Sequence, residues 1–171
     1  RAGNDCESEL IKIGGKLDQG FHMVKTRLFD RHGFSSTDAT RSLIRKIDQI
    51  EPDIIHLHNL HGYYLNIEVL FTFLKEWGKP VAWTFHDTWP ITGHCSYFEH
   101  VNCFKWETLC YDCPNLKGYP KSWFIDNSRK KLDQGKTVAS FCMGTQETYQ
   151  YINDNPSIEF KTIDYTNNPL N

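Results

Sequence analysis

Between Asp53 and Phe85, two short apolar runs flank a stretch whose apolar residues recur at helical spacing. Asp53-Ile54-Ile55-His56-Leu57-His58 reads as a short buried strand. Asn66 can cap a helix running through Val69, Leu70, Phe73, Leu74 and Trp77, and Gly78 can close it. Pro80 then opens a second apolar run, Val81 to Phe85. Strand, helix of about a dozen residues and strand, joined by short links, make a βαβ unit with parallel strands. This unit points to an α/β fold with a parallel sheet.

The flanks are less constrained. Upstream, Ser36 or Thr37 can cap a helix with Ala39, Leu43, Ile44, Ile47 and Ile50 on one face, and Pro52 stops it. Leu10 to Ile13 reads as an edge strand, and His32-Gly33 marks a turn. Phe21 to Phe29 is apolar without a firm period. From 87 to 124 the periodicity vanishes in favour of Cys, aromatic, Gly and Pro residues. That is long for a structureless loop, so something other than apolar burial should hold it. Downstream, Thr137 to Phe141, Gln146 to Asn153 and Ile158 to Tyr165 read as strand, helix and strand, a short βαβ-like tail. Lys-Leu-Asp-Gln-Gly occurs at both Lys16 and Lys131, a repeat that reads as coincidence.

Charge narrows the function. With 19 Lys and Arg against 21 Asp and Glu and no basic run, nucleic-acid binding through bulk charge is excluded. No apolar run is long enough to span a bilayer, and no signal-peptide core follows Arg1. The expectation is a cytoplasmic chain of one domain's length, or a piece of a longer one.

In parallel sheets, ligands bind beyond the carboxyl ends of the strands. That rule selects His58, Asn59, Leu60, His61 and Gly62 after the first strand, and His86 and Asp87 after the second. Imidazoles there can act as general bases or bind hydroxyls and phosphates, although such residues also simply end strands and cap helices. His56 points to the face opposite Leu57 and reads as a packed, hydrogen-bonded histidine. His56-x-His58-x-x-His61 resembles a dinuclear zinc pattern, but Leu60 stands where an Asp is needed.

Cys95-x7-Cys103-x6-Cys110-x2-Cys113 can supply a tetrahedral thiolate set for structural zinc, with His94 and His100 as substitute ligands. Free buried thiols and disulfides are the other readings, and a redox role for Cys110 and Cys113 is weak because the pair opens no helix. Cys6 and Cys142 stand apart. Trp83, Trp89, Trp106, Trp123, Tyr63, Tyr64, Tyr97 and Phe98 suit either a sugar-binding cleft or an aromatic core.

The block from Asp53 to Asn66, Trp83-Thr-Phe-His-Asp87, Thr92-Gly-His-Cys95, the cysteine stretch and Tyr119-Pro-Lys-Ser-Trp-Phe124 resemble bacterial family-4 glycosyltransferases of polysaccharide assembly. Glu9 to Gly14 and Arg27 to Gly33 fit too, so the resemblance covers residues 7–129. It implies the N-terminal, acceptor-binding domain, here a partial Rossmann-like parallel sheet, of a two-domain GT-B enzyme that takes hexose from a nucleotide-sugar. His58, Asn59, His61, Gly62 and Asp87 would then face a saccharide or lipid-linked acceptor, with His86 as the catalytic histidine near the transferred sugar. A lipid-linked acceptor would also bring the chain to a membrane surface as a peripheral protein.

Gly135 to Thr145, Tyr149, Asn155-Pro156 and Asp164-Tyr165 instead resemble an internal segment of the acetyl-CoA hydrolase and 4-hydroxybutyrate CoA-transferase family, over residues 135–169. The expected organisation is therefore 1–130 as a partial glycosyltransferase domain, containing the Cys-rich insertion 87–124, and 135–171 as a CoA-transferase-like fragment. The family's opening strand and its donor domain are not found here, so the chain is expected to be inactive alone. The alternatives are an acyl-CoA transferase fragment and a non-catalytic zinc-stabilised module.

Overall fold

The computed structural model describes residues 10–107 and 110–131. The tail elements expected within 135–171, and Cys6 and Cys142, lie outside the described residues. The order is α1 (Lys16–Phe29), α2 (Thr37–Ile50), β1 (Ile55–His58), α3 (Ile67–Trp77) and β2 (Val81–Thr84), followed by three single 3-10 turns.

The βαβ unit forms as its sequence requires. β1 and β2 pair in parallel, with Ile55 opposite Val81 and His58 opposite Thr84. The Asn66 side chain accepts from the Val69 N–H at 3.2 Å, capping α3, and Gly78 ends it in the left-handed conformation at φ 72°. Asn66 also receives a backbone tie to α2, its N–H donating to Thr40 Oγ1 at 2.8 Å. α3 buries Leu70, Phe71 and Leu74 against Leu57 of β1 and against Phe34 and Trp89. α2 packs on α3, bringing Leu43 and Ile44 to the edge of that core. Its Ile50 stays exposed, and the chain leaves through Glu51 in the left-handed region before Pro52. Ser36 precedes α2, but its hydroxyl bonds His22 Nδ1 at 2.9 Å instead of capping the helix.

Two expectations change. Leu10 to Ile13 is not a strand, because it finds no pairing partner among the described residues. The stretch from Phe21 to Phe29 belongs to a regular helix, α1. Its inward positions are His22 and Thr26, four residues apart and both buried, while Leu17, Phe21 and Val24 are exposed. A helix seated on polar side chains carries no apolar period for the sequence to show. His22 Nε2 accepts the Gly33 N–H at 3.2 Å, which ties α1 to the His32-Gly33 turn.

The described molecule is thus α/β, with helices around a two-stranded parallel sheet. The stretch after β2 has no α-helix or strand through residue 124 among the described residues, only the turns Trp89–Ile91, Glu99–Val101 and Lys105–Glu107. Backbone and side-chain bonds fold it: Thr88 N–H and Oγ1 both donate to Ser96 O, at 2.8 and 2.6 Å.

Candidate functional site

Because β1 and β2 are parallel neighbours, their carboxyl ends deliver the two selected loops side by side. His58 Nδ1 lies 2.8 Å from His86 Nε2, a hydrogen bond between the two strand exits. Both side chains reach solvent at the open end of the sheet. Desolvation, then the neighbouring His56 and His86, lower the His58 pKa, so its neutral form is favoured.

Deeper in, His61 Nε2 stands 2.9 Å from Asp87 Oδ2, an electrostatic contact off the hydrogen-bond line. Asp87 Oδ1 accepts the Trp89 N–H at 2.9 Å. Burial raises the Asp87 carboxyl, but His61 and the Trp89 N–H outweigh it and hold the group below its ordinary value. Asp87 is therefore a fixed anion at the strand exit.

Asn59, His61, His86 and Asp87 border one shallow hollow, lined also by Leu60, Trp83 and Pro90. Asn59 takes the left-handed backbone (φ 40°), and its carbonyl accepts the Tyr64 hydroxyl at 2.9 Å. The space left by Gly62 is filled by Tyr64, whose ring would stand 2.5 Å from an added Cβ. His56 is hydrogen-bonded as expected, to Thr84 Oγ1 at 2.8 Å, but it is exposed instead of packed. The core covers the Leu57 face, so the His56 and His58 face stands open among the described residues. His61 instead meets Asp87, Trp89 and Tyr119.

Some members of the site carry no local signal. Tyr119 donates to the His61 carbonyl at 3.1 Å, and its oxygen lies 3.3 Å from His61 Nδ1, across 58 residues of sequence. Trp89 flanks the His61 ring at 5.3 Å between centroids. The aromatics divide: Trp83 packs on Phe71 and Phe85, whereas Tyr97, Tyr119 and Trp123 are exposed.

The cysteine stretch forms a second centre. Cys95, Cys103, Cys110 and Cys113 are free thiols bordering one small cavity, together with His94, Trp106 and Tyr111. A hydrogen bond from Cys113 lowers the Cys95 thiol to about 7 and pushes Cys113 up. Burial raises Cys110, against the Gly93 N–H that points at its sulfur from 3.3 Å. His100 is exposed and does not line this cavity. Among the described residues, no three His, Cys, Asp or Glu side chains are gathered tightly enough to hold an ion.

Behind this cavity lies a buried triad that sequence reading missed. Asp30 Oδ1 is 2.9 Å from His94 Nδ1 and 2.6 Å from Lys131 Nζ, and Asp30 Oδ2 accepts the Asn127 N–H at 2.9 Å. Burial lowers the Lys131 pKa, and Asp30 opposes that shift. The partners are 64 to 101 residues apart, so only the fold reveals the set.

No protein-family model matches the chain, and no solved structure matches it. Over 118 residues it is 35% identical to WcaC of Escherichia coli (strain K12), a protein named as a colanic acid biosynthesis glycosyl transferase. That alignment takes 66% of this chain and 28% of WcaC. Over 50 residues the chain is 46% identical to the 4-hydroxybutyrate coenzyme A transferase of Clostridium kluyveri, covering 29% of the chain and 12% of that enzyme. Over 47 residues it is 49% identical to the succinyl-CoA:cyclohexane-1-carboxylate CoA transferase of Geobacter metallireducens, covering 28% and 11%. The chain therefore spans little more than a quarter of the glycosyltransferase and about a tenth of the CoA transferases. It is similar to two unrelated kinds of transferase, to one over most of its length and to the other over a short stretch.

Proposed function

We propose that residues 1–130 are the acceptor-binding part of a GT-B glycosyltransferase of polysaccharide biosynthesis, built on a Rossmann-like sheet of which β1 and β2 are two strands. In the complete enzyme a hexose passes from a nucleotide-sugar to a saccharide or lipid-linked acceptor on the cytoplasmic side. The observation that carries this reading is the pairing of two polar loops at adjacent parallel strand ends, His58 on His86 and His61 on Asp87. The glycosyltransferase likeness supports it over most of the chain. Imidazoles at the strand exits and a fixed carboxylate suit hydrogen bonds to sugar hydroxyls, with His86 nearest the transferred sugar. Stabilisation of the departing phosphate belongs to the donor side of such a cleft. Among the described residues no helix is long and apolar enough to cross a membrane, so contact with a lipid-linked acceptor would be peripheral.

The chain alone should bind an acceptor without turning it over. Calorimetric titration with a panel of hexose oligosaccharides should give saturable binding, weakened about tenfold by His61→Ala. Binding indifferent to that change, or no binding, contradicts the reading. Robust transfer from common nucleotide-sugars would overturn the inactivity.

The CoA-transferase similarity supports a second reading for residues 135–171, as an internal fragment joined near 130–135. It carries no match to that family's catalytic glutamate, so CoA-dependent acyl exchange by this chain is the result that would revive an activity there.

A further inference from the structure

We propose that Cys95, Cys103, Cys110 and Cys113 close around one zinc ion, with His94 and Asp30 behind the site as a hydrogen-bonded brace to α1. All four sulfurs border the same cavity, and all four are free thiols. Soft thiolates in a tetrahedral set select zinc, and a site with four protein ligands leaves no open position, so the ion is structural.

Three further observations fit. The Gly93 N–H donates to Cys110 Sγ at 3.3 Å, the backbone contact that steadies a ligating sulfur. An added Cβ on Gly93 would meet Ser128 O at 2.1 Å and the Cys110 Cβ at 2.8 Å, so the backbone is pressed against the cavity wall. His94 borders the cavity, is 1% exposed, and its Nε2 is buried without a hydrogen-bond partner. Its other nitrogen is held by Asp30 at 2.9 Å. A buried polar atom without a partner costs stability unless something faces it. A zinc ion in the cavity gives that nitrogen something to face, and a carboxylate on the other ring nitrogen is what orients an imidazole at zinc.

The four sulfurs line the cavity wall without converging to coordinating distance of one point. Only Cys113 and Cys95 are drawn together, by a hydrogen bond; a bound cation would bring in all four sulfurs and release their remaining protons. The segment needs such a tie, since among the described residues only one-turn helices support it.

The test is metal content and spectroscopy on the full chain, purified without chelator and supplied with zinc or cobalt(II) as the probe. The expected result is one metal per chain, and a cobalt spectrum with strong sulfur-to-metal charge transfer and tetrahedral d–d bands. Cys110→Ser with Cys113→Ser should abolish both, whereas Cys6→Ser with Cys142→Ser should leave both intact. His94→Gln should keep the stoichiometry and weaken affinity about 10–100-fold. Because the cysteine variants can fail to fold, the cobalt spectrum of the unaltered chain decides. A chain that takes up neither metal, or a disulfide between any of the four cysteines in freshly purified protein, overturns the site. Unchanged affinity in His94→Gln removes the brace.

Discussion

The βαβ unit and the cysteine lobe are consecutive in the chain and keep their order by different means. The first buries Leu57, Leu70, Phe71 and Leu74 at regular spacing, and its helix is capped by Asn66 and closed by Gly78. The second has single-turn helices, buried Thr92, His94 and Ser96, and free cysteines around a cavity. Apolar burial is distributed over many contacts and tolerates the loss of one. A polar lobe depends on particular partners, and an unpaired member is costly.

The largest effect should come from breaking the buried triad that joins the lobe to α1. Asp30→Ala leaves Lys131 buried without its counter-charge and strips the Asn127 N–H of its acceptor, costing about 4 kcal/mol in urea unfolding. Within the apolar half, Leu74→Ala should cost about 3 kcal/mol, since the side chain is 1% exposed and its loss leaves a cavity. If the triad variant proves milder than the core variant, the contrast between the two halves fails.

A pH series probes the polar seat of α1. Burial, assisted by Lys25 and opposed by Asp18, holds His22 down at about 4 against an ordinary 6.5. The unfolded chain therefore takes up a proton that the folded chain refuses between those values. The His22 contribution should be full above pH 6.5 and shrink by up to about 3 kcal/mol as pH drops toward 4, and the neighbouring His32, also held low by burial, adds to the fall. His22→Gln should make that part of the profile shallower, leaving the share due to His32. The smallest effect is Asn66→Ala, which removes the α3 cap for about 1 kcal/mol and should leave the cysteine lobe's near-ultraviolet circular dichroism unchanged.

The same contrast explains what can be read in the sequence. The βαβ unit, its cap at Asn66, its stop at Gly78 and the turn at His32-Gly33 follow from spacing and single-residue chemistry, and all are present. So is the meeting of His58 with His86 and of His61 with Asp87, because parallel neighbours must deliver their exits together. α1 is hidden in the sequence because its buried positions, His22 and Thr26, are polar. Leu10 to Ile13 has strand composition, but a strand exists only with a partner. Tyr119 beside His61 and Lys131 beside Asp30 are contacts across 58 and 101 residues, which no local pattern encodes. A packed His56 requires both faces of the sheet to be covered, and the described residues leave its face open.

The most direct test of the acceptor reading is to follow the histidine ring nitrogens by long-range proton–nitrogen correlation while titrating hexose oligosaccharides into the full chain. The account predicts saturable shifts confined to His58, His61 and His86, with the buried His22 and His94 still. Shifts that spread evenly over all histidines, or none at saturating saccharide, would contradict it.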